Sequence, residues 1–378
     1  MRRLEKTVFV QPKLDLEISV RGGRRARIER DIITKSFRRW LAALILPTYT
    51  TVLRPVDYNN SEFKVYLVTM EKNSMFCDIV VGKDSRSESP DDYRIYSPAK
   101  FSVDGYGVVD ISETDTQITF GLLKNITMRE SATLAECGLF GTTVDEWDNT
   151  RYFLVVRNSG LALPVSTGDK LTIKYTVTLT KQSLTGSAGF TKWFNRALAM
   201  TLAGAGVARS FVPLTTADGA YSPGAQTLGS GTFSTKTLYD PGSPSPPFSG
   251  IQGYFSPNPS YCCSTLWRLF VFSTSTGADE VNLGSLVDAY GMWRTDYSGS
   301  MSESSDRKQL TATYWEYLRN DTTTTKSIVE WGFFSQAKDS SLKDRAYLVH
   351  KAWLPSGASP ISVAPSEMVK GTINIVLS

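Results

Sequence analysis

The chain carries a single histidine, His350, inside Tyr347-Leu348-Val349-His350-Lys351, whose pattern is that of a strand. One imidazole removes most nucleophilic triads, histidine metal clusters and Cys/His pairs, and His350 is read as a strand residue on a sheet surface. Two carboxylates flanking a groove can hydrolyse a glycosidic bond, which makes Glu136 and Glu330 the acids to weigh. Each recurs at the equivalent position of a similar stretch. That recurrence points to a scaffold role, such as accepting backbone hydrogen bonds at a strand bend. The densest carboxylate group, Asp145-Glu146-Trp147-Asp148, has oxygen ligands of the kind a cation takes but reads as a solvated acidic turn. Ala203-Gly204-Ala205-Gly206 lacks the third glycine and the Lys-Ser pair of a phosphate loop, and reads as a helix end. Cys77, Cys137, Cys262 and Cys263 show no C-x-x-C spacing, and the adjacent pair is poorly placed to bond to itself. All four are expected as buried small hydrophobes, with a disulfide from the pair only after release into an oxidising setting. These residues predict no enzyme, no metal and no cofactor.

The elements that would carry them are strands. The chain has 378 residues, 41% hydrophobic and 21% charged, enough for two domains of ordinary size. Its many Thr, Val, Tyr, Phe and Trp residues suit a pleated, half-buried surface. Residues 1–30 hold nine Lys or Arg against four Asp or Glu, and the remainder 32 against 33. The basic character therefore belongs to an N-terminal arm, which argues against a nucleic-acid groove on the folded part. Within the arm, Leu14, Leu16, Ile18 and Val20 alternate ahead of Arg21, Arg24, Arg25, Arg27 and Arg30. This predicts a strand that adds to a neighbouring subunit's sheet, with the arginines meeting an acidic surface. No run of about 18 apolar residues is present to span a bilayer, and the first residues have no secretory signal pattern. The expectation is a chain made in a cytoplasm without membrane insertion.

An internal repeat organises the rest. Thr34-Lys35-Ser36-Phe37-Arg38-Arg39-Trp40-Leu41-Ala42 and Thr191-Lys192-Trp193-Phe194-Asn195-Arg196-Ala197-Leu198-Ala199 share T-K-x-F-x-R-x-L-A. Phe37, Trp40, Leu41, Leu44 and Ile45 fall at helical spacing, as do Phe194, Ala197, Leu198, Thr201 and Leu202. Each half therefore gains one amphipathic helix capped by a threonine. Pro47 ends the first, and Gly204 with Gly206 the second. Glu136-Cys137-Gly138-Leu139-Phe140 matches Glu330-Trp331-Gly332-Phe333-Phe334 as E-x-G-[LF]-F. Strands alternating over Leu171–Leu179 and Ile373–Leu377 close the two copies. Between Pro213 and Pro259 the second copy carries a proline-rich, nearly uncharged excursion, expected as an exposed or partner-wrapping loop.

A short helix, a variable β middle, an E-x-G-L-F strand and a long Thr-rich last strand resemble the β-sandwich domains of tailed-bacteriophage structural proteins, in fibres, collars and other appendages. The resemblance covers both halves but not residues 1–30 or the proline-rich excursion. It implies an all-β chain of two tandem, jelly-roll-like sandwiches, each with one short packed helix: residues 31–183, then 184–378 with an insertion over about 207–262. It also implies a structural protein of the virion that partners itself, as a symmetric homo-oligomer, and other virion proteins. Assembly would run through sheet edges and the arm. The alternative is a host-receptor or glycan-binding protein using the second domain, where Trp267, Trp293, Trp315, Trp331 and Trp353 crowd together in sequence.

Overall fold

The computed structural model describes residues 2–29, 32–45, 53–65, 75–114, 116–147, 149–180, 188–190, 198, 202, 220–221, 269–273, 292–320, 323–338, 344–354 and 357–378. Strands β1 (Arg2–Val10), β2 (Pro12–Val20), β3 (Arg25–Ile28) and β4 (Ile32–Ile33) precede helix α1 (Lys35–Ile45). Then come β5 (Met75–Gly82), β6 (Phe101–Glu113), β7 (Gln117–Met128), β8 (Ala132–Val144), β9 (Thr150–Val165) and β10 (Lys170–Thr180). The second half holds β11 (Ala188–Phe190), β12 (Ala220–Tyr221), β13 (Leu269–Ser273), β14 (Met292–Glu303) and β15 (Leu310–Asn320). It continues with β16 (Lys326–Ile328), β17 (Glu330–Lys338), β18 (Asp344–Trp353), β19 (Ile361–Val363) and β20 (Met368–Leu377). The fold is all-β.

In the first half one sheet runs β3-β2-β10-β7-β6 and another β4-β9-β8-β5. Alternation gives the first an inward face, Leu171, Ile173, Tyr175, Val177 and Leu179 of β10 being buried beside Ile118, Phe120, Leu122, Ile126 and Met128 of β7, whereas β9 of the second is buried on both faces over Phe153 to Asn158. Polar side chains tie the two sheets face to face. Tyr175 Oη donates to Asn158 Oδ1 of β9 at 2.7 Å, and Lys124 Nζ of β7 donates to the Ile79 carbonyl of β5 at 2.7 Å. In the second half the sheets run β1-β20-β15-β14 and β11-β18-β17-β13, with β12 also on β18 and β16 pairing β19. Strand for strand, β4-β9-β8-β5 parallels β11-β18-β17-β13, and β10-β7-β6 parallels β20-β15-β14.

Residues 2–20 do not project toward a neighbour. β2 lies antiparallel on β10, with Ile18 opposite Ile173, and β1 lies parallel on β20, with Lys6 opposite Ile373. Gln11 alone separates the two strands, so the chain steps from a sheet of one half directly into a sheet of the other. The reason is the alternation itself. Leu14, Leu16, Ile18 and Val20 are fully buried against the first half's own core, each contributing about 1.5–3 kcal/mol, which a free arm would forgo. β2 then turns into β3 at Gly22 and Gly23, whose φ of 114° and 105° only glycine adopts without strain.

Helix α1 starts where the threonine predicts: Thr34 Oγ1 accepts the Phe37 N–H at 3.2 Å. Phe37 and Trp40 pack toward the core, with Trp40 5.1 Å from the Phe153 ring centroid and Phe37 5.7 Å from that of Phe76. The other side is covered too. Arg39 grips Glu303 with Nε and Nη2 at 2.6 and 2.7 Å and donates to the Arg54 carbonyl at 2.9 Å, while Arg38 Nη1 reaches the Arg307 carbonyl at 3.1 Å. A helix expected to keep a wet face is thus buried against the β14–β15 turn, and the two halves share this contact. Of the second expected helix, Leu198 and Leu202 are helical and buried. Phe194, Arg196 and the proline-rich excursion, apart from β12, lie outside the described residues.

Candidate functional site

Glu136 sits on β8 opposite Gly82 of β5 and Ser159 of β9, fully buried. Its carboxylate is occupied on both oxygens. Oε1 accepts the Ser97 N–H at 2.9 Å and, at 3.4 Å, that of Asp84. Oε2 accepts Arg157 Nε at 2.7 Å and the Tyr96 N–H at 3.4 Å. Arg157, 1% exposed, spends its remaining donors on Asp92 Oδ2 and the Ser87 carbonyl, both at 3.2 Å, and on the Arg86 carbonyl at 3.1 Å. The pair staples the 84–97 loop to the sheet. A carboxylate so enclosed accepts backbone hydrogen bonds and has no room for a sugar ring.

The two glycines beside this pair make the approach possible. A Cβ at Gly138 would meet Ile95 Cδ1 at 2.7 Å, and one at Gly82 would overlap Glu136 Oε1 and stand 2.6 Å from Ile95 Cγ2. Because Glu136 is pinned by its hydrogen bonds, Gly82→Ala is expected to destabilise the fold by about 1–3 kcal/mol. A lower urea midpoint at unchanged slope checks it.

In the second half, Glu330 opens β17 opposite Ser273 and Trp353 and is fully buried, and Gly332 stands opposite Lys351 as Gly138 stands opposite Arg157. Phe334, two residues further along β17, pairs Leu269 of β13. His350 of β18 does not lie on a sheet surface as its strand pattern suggested. It is fully buried, and burial, reinforced by the Lys6 charge from β1, pushes its pKa down to about 3.

The tryptophans proposed as a binding surface separate. Trp315 of β15 is half-buried, 4.9 Å from Tyr317 edge-on and under the Lys370 ammonium at 4.6 Å. Trp353 belongs to β18, in a different sheet; Trp331 is buried; Trp293 lies on β14 opposite Arg319; Trp267 is outside the described residues. The arginines of the basic segment divide as well. Arg24 is used within the chain, donating to the Pro164 carbonyl at 2.5 Å and to Asp169 at 2.7 Å. Arg21 and Arg25 are exposed, Arg27 pairs Glu29 at 3.2 Å, and Arg30 lies outside the described residues. Charge on the edge strand β3 hinders another strand from pairing there.

Asp145 is not a solvated turn residue. It is 1% exposed, and its oxygens accept the Trp147 and Asn149 N–H groups and Arg151 Nε. Cys137 is buried and Cys77 half-buried, each thiol pushed up to about 12 chiefly by burial, while Cys262 and Cys263 lie outside the described residues. Among the described residues no group of three or more His, Cys, Asp or Glu is placed to hold a metal ion, and no helix is long and apolar enough to cross a membrane. No protein-family model, curated protein or solved structure matches the chain.

Proposed function

We propose that the chain is a structural component of a virus particle, built from a duplicated β-sandwich and assembled with further copies of itself through open sheet edges. The observation that carries this reading is the strand-for-strand agreement between the sheet orders of the two halves. It supports the duplication on which the resemblance to virion appendage domains rests. The E-x-G landmark serves the same reading: Glu136, Gly138 and Arg157 work as architecture, with no face turned to a substrate. Such sandwiches host many roles, so the function rests on how the edges are used.

The edges differ in character. β3 is guarded by arginines, whereas β6 ends its sheet with Val103 57% and Tyr106 41% exposed. Asp104 and Asp110 of the same strand are exposed as well, so the edge is mixed, with Val103 and Tyr106 as the apolar side chains that another chain would cover. Removing residues 1–30 would strip strands from both halves, so a point substitution is the cleaner test. Light scattering after size exclusion is expected to show a defined oligomer for the full chain and a smaller species for Val103→Lys. The substitution, being at an exposed site, should change fold stability by less than about 0.5 kcal/mol. A full chain that is monomeric overturns the assembly reading.

A further inference from the structure

Three aromatic side chains stand out from the first half: Trp147 is 76% exposed, Tyr58 48% and Tyr152 47%. Each lies next to a member of one ion network, in which two buried carboxylates meet a partly exposed arginine. Asp57 precedes Tyr58, Arg151 precedes Tyr152, and Asp145 lies two residues before Trp147. Arg151 donates from Nε to Asp145 Oδ2 at 2.7 Å and from Nη1 to Asp57 Oδ2 at 3.1 Å. The other oxygens are spent on the turns that carry the rings: Asp57 Oδ1 accepts the Asn59 and Ser61 N–H groups, and Asp145 Oδ1 those of Trp147 and Asn149, all at 2.9 Å. The Tyr58 N–H donates to the Tyr152 carbonyl at 3.0 Å, joining the two segments directly. Three exposed rings are therefore mounted on one pinned frame. A frame ordered in advance lowers the entropy lost when a ligand binds.

The charge around the rings indicates what they take. Arg151 is matched by two carboxylates, Lys64 by Glu146 at 3.3 Å, and Glu62 faces Arg39 at 3.8 Å. With Arg39 already held by Glu303, these groups leave no unmatched cation and a slight acidic excess, so a phosphate backbone, which needs unmatched cations, or an acidic peptide finds little to hold it. The exposed polar neighbours Asn59, Asn60 and Asn149 carry neutral amides that both donate and accept. An aromatic face is electron-rich, and one face of a pyranose presents C–H bonds of slight positive charge, with hydroxyls around its rim. We propose that Tyr58, Trp147 and Tyr152 form a binding platform for a neutral oligosaccharide, the rings stacking on sugar faces while the amides meet hydroxyls. This site lies in the opposite half from the tryptophans singled out by sequence, and it stands whether or not the chain assembles.

Isothermal titration of the full chain with cello-, laminari-, chito-, malto- and mannohexaose tests the proposal. At least one is expected to bind with micromolar to millimolar affinity. Trp147→Ala and Tyr152→Ala should each weaken that binding by up to about tenfold, the loss of one stacking contact, without moving the urea midpoint. Absence of binding to all five at millimolar concentration overturns the platform, as does binding that both variants leave intact. A change in oligomeric state on Trp147→Ala would also overturn it, since the rings would then be an interface between copies.

Discussion

Arg157→Ala is expected to lower the unfolding free energy by about 3–5 kcal/mol, the cost of leaving a buried carboxylate without its counter-ion. The guanidinium is 1% exposed and its partner Glu136 0% exposed, so water cannot replace what is removed. Four acceptors lose a donor at once: Glu136, Asp92 and the Ser87 and Arg86 carbonyls. Arg157→Lys should recover only part of the loss, because an ammonium cannot reproduce the planar fork that reaches a carboxylate and the loop carbonyls together. The double variant Arg157→Met/Glu136→Leu should be milder than the sum of the two single changes, since it removes both charges. Urea denaturation of the wild type, Arg157→Ala, Arg157→Lys, Arg157→Met, Glu136→Leu and the double variant measures all of this. Near-wild-type stability for Arg157→Ala would mean that the loop over 84–97 does not depend on the pair. By the same logic Glu136→Gln, which removes the charge that Arg157 meets, is expected to lower the unfolding midpoint.

Acidification gives the second large effect. His350 is neutral in the fold, with a pKa near 3, against about 6.5 in an unfolded chain. The unfolded state therefore binds a proton that the folded state refuses. The stabilisation tied to this residue is complete above about pH 6.5 and is lost as pH falls toward 3, by up to about 1.4 kcal/mol per pH unit. Urea midpoints taken at neutral pH and at successive steps below it should fall for the wild type. They should fall less steeply for His350→Leu, whatever that variant's stability at neutral pH. Equal slopes for the two proteins would assign acid sensitivity to the carboxylates instead.

Much of the fold was legible because its signals are local. The alternation of Leu171 to Leu179, the capping threonine Thr34 and the spacing of Phe37, Trp40 and Leu41 each report on residues within a few positions of one another. The E-x-G landmark was visible as a repeat, but its partner was not. Arg157 lies on the next strand, and nothing in its neighbourhood marks it as the base that Glu136 needs. Asp145 was misjudged for a related reason: a run of acids reads as wet, whereas Arg151 and the turn amides make burial of one member affordable. His350 shows the limit of strand periodicity, which gives a side chain's face but not what lies over that face. Over Leu14 to Val20 the alternation was clear, but it says nothing of which sheet receives the strand, and the expected neighbouring subunit gave way to β10 of the same chain, while β1 was not foreseen.

The pairing of β1 with β20 has a kinetic side. Arg2 and Val369 face each other across almost the whole sequence, so β1 is made long before its partner. At roughly 5–20 residues per second, synthesis leaves this strand waiting for about 20–70 s. Contacts of such sequence separation close late and slowly, so the second half's sheet is completed only after its last strand has left the ribosome. During that interval Leu4, Val8 and Val10 are exposed on an unpaired strand, which makes the nascent chain, rather than the finished fold, the stage most in need of a chaperone.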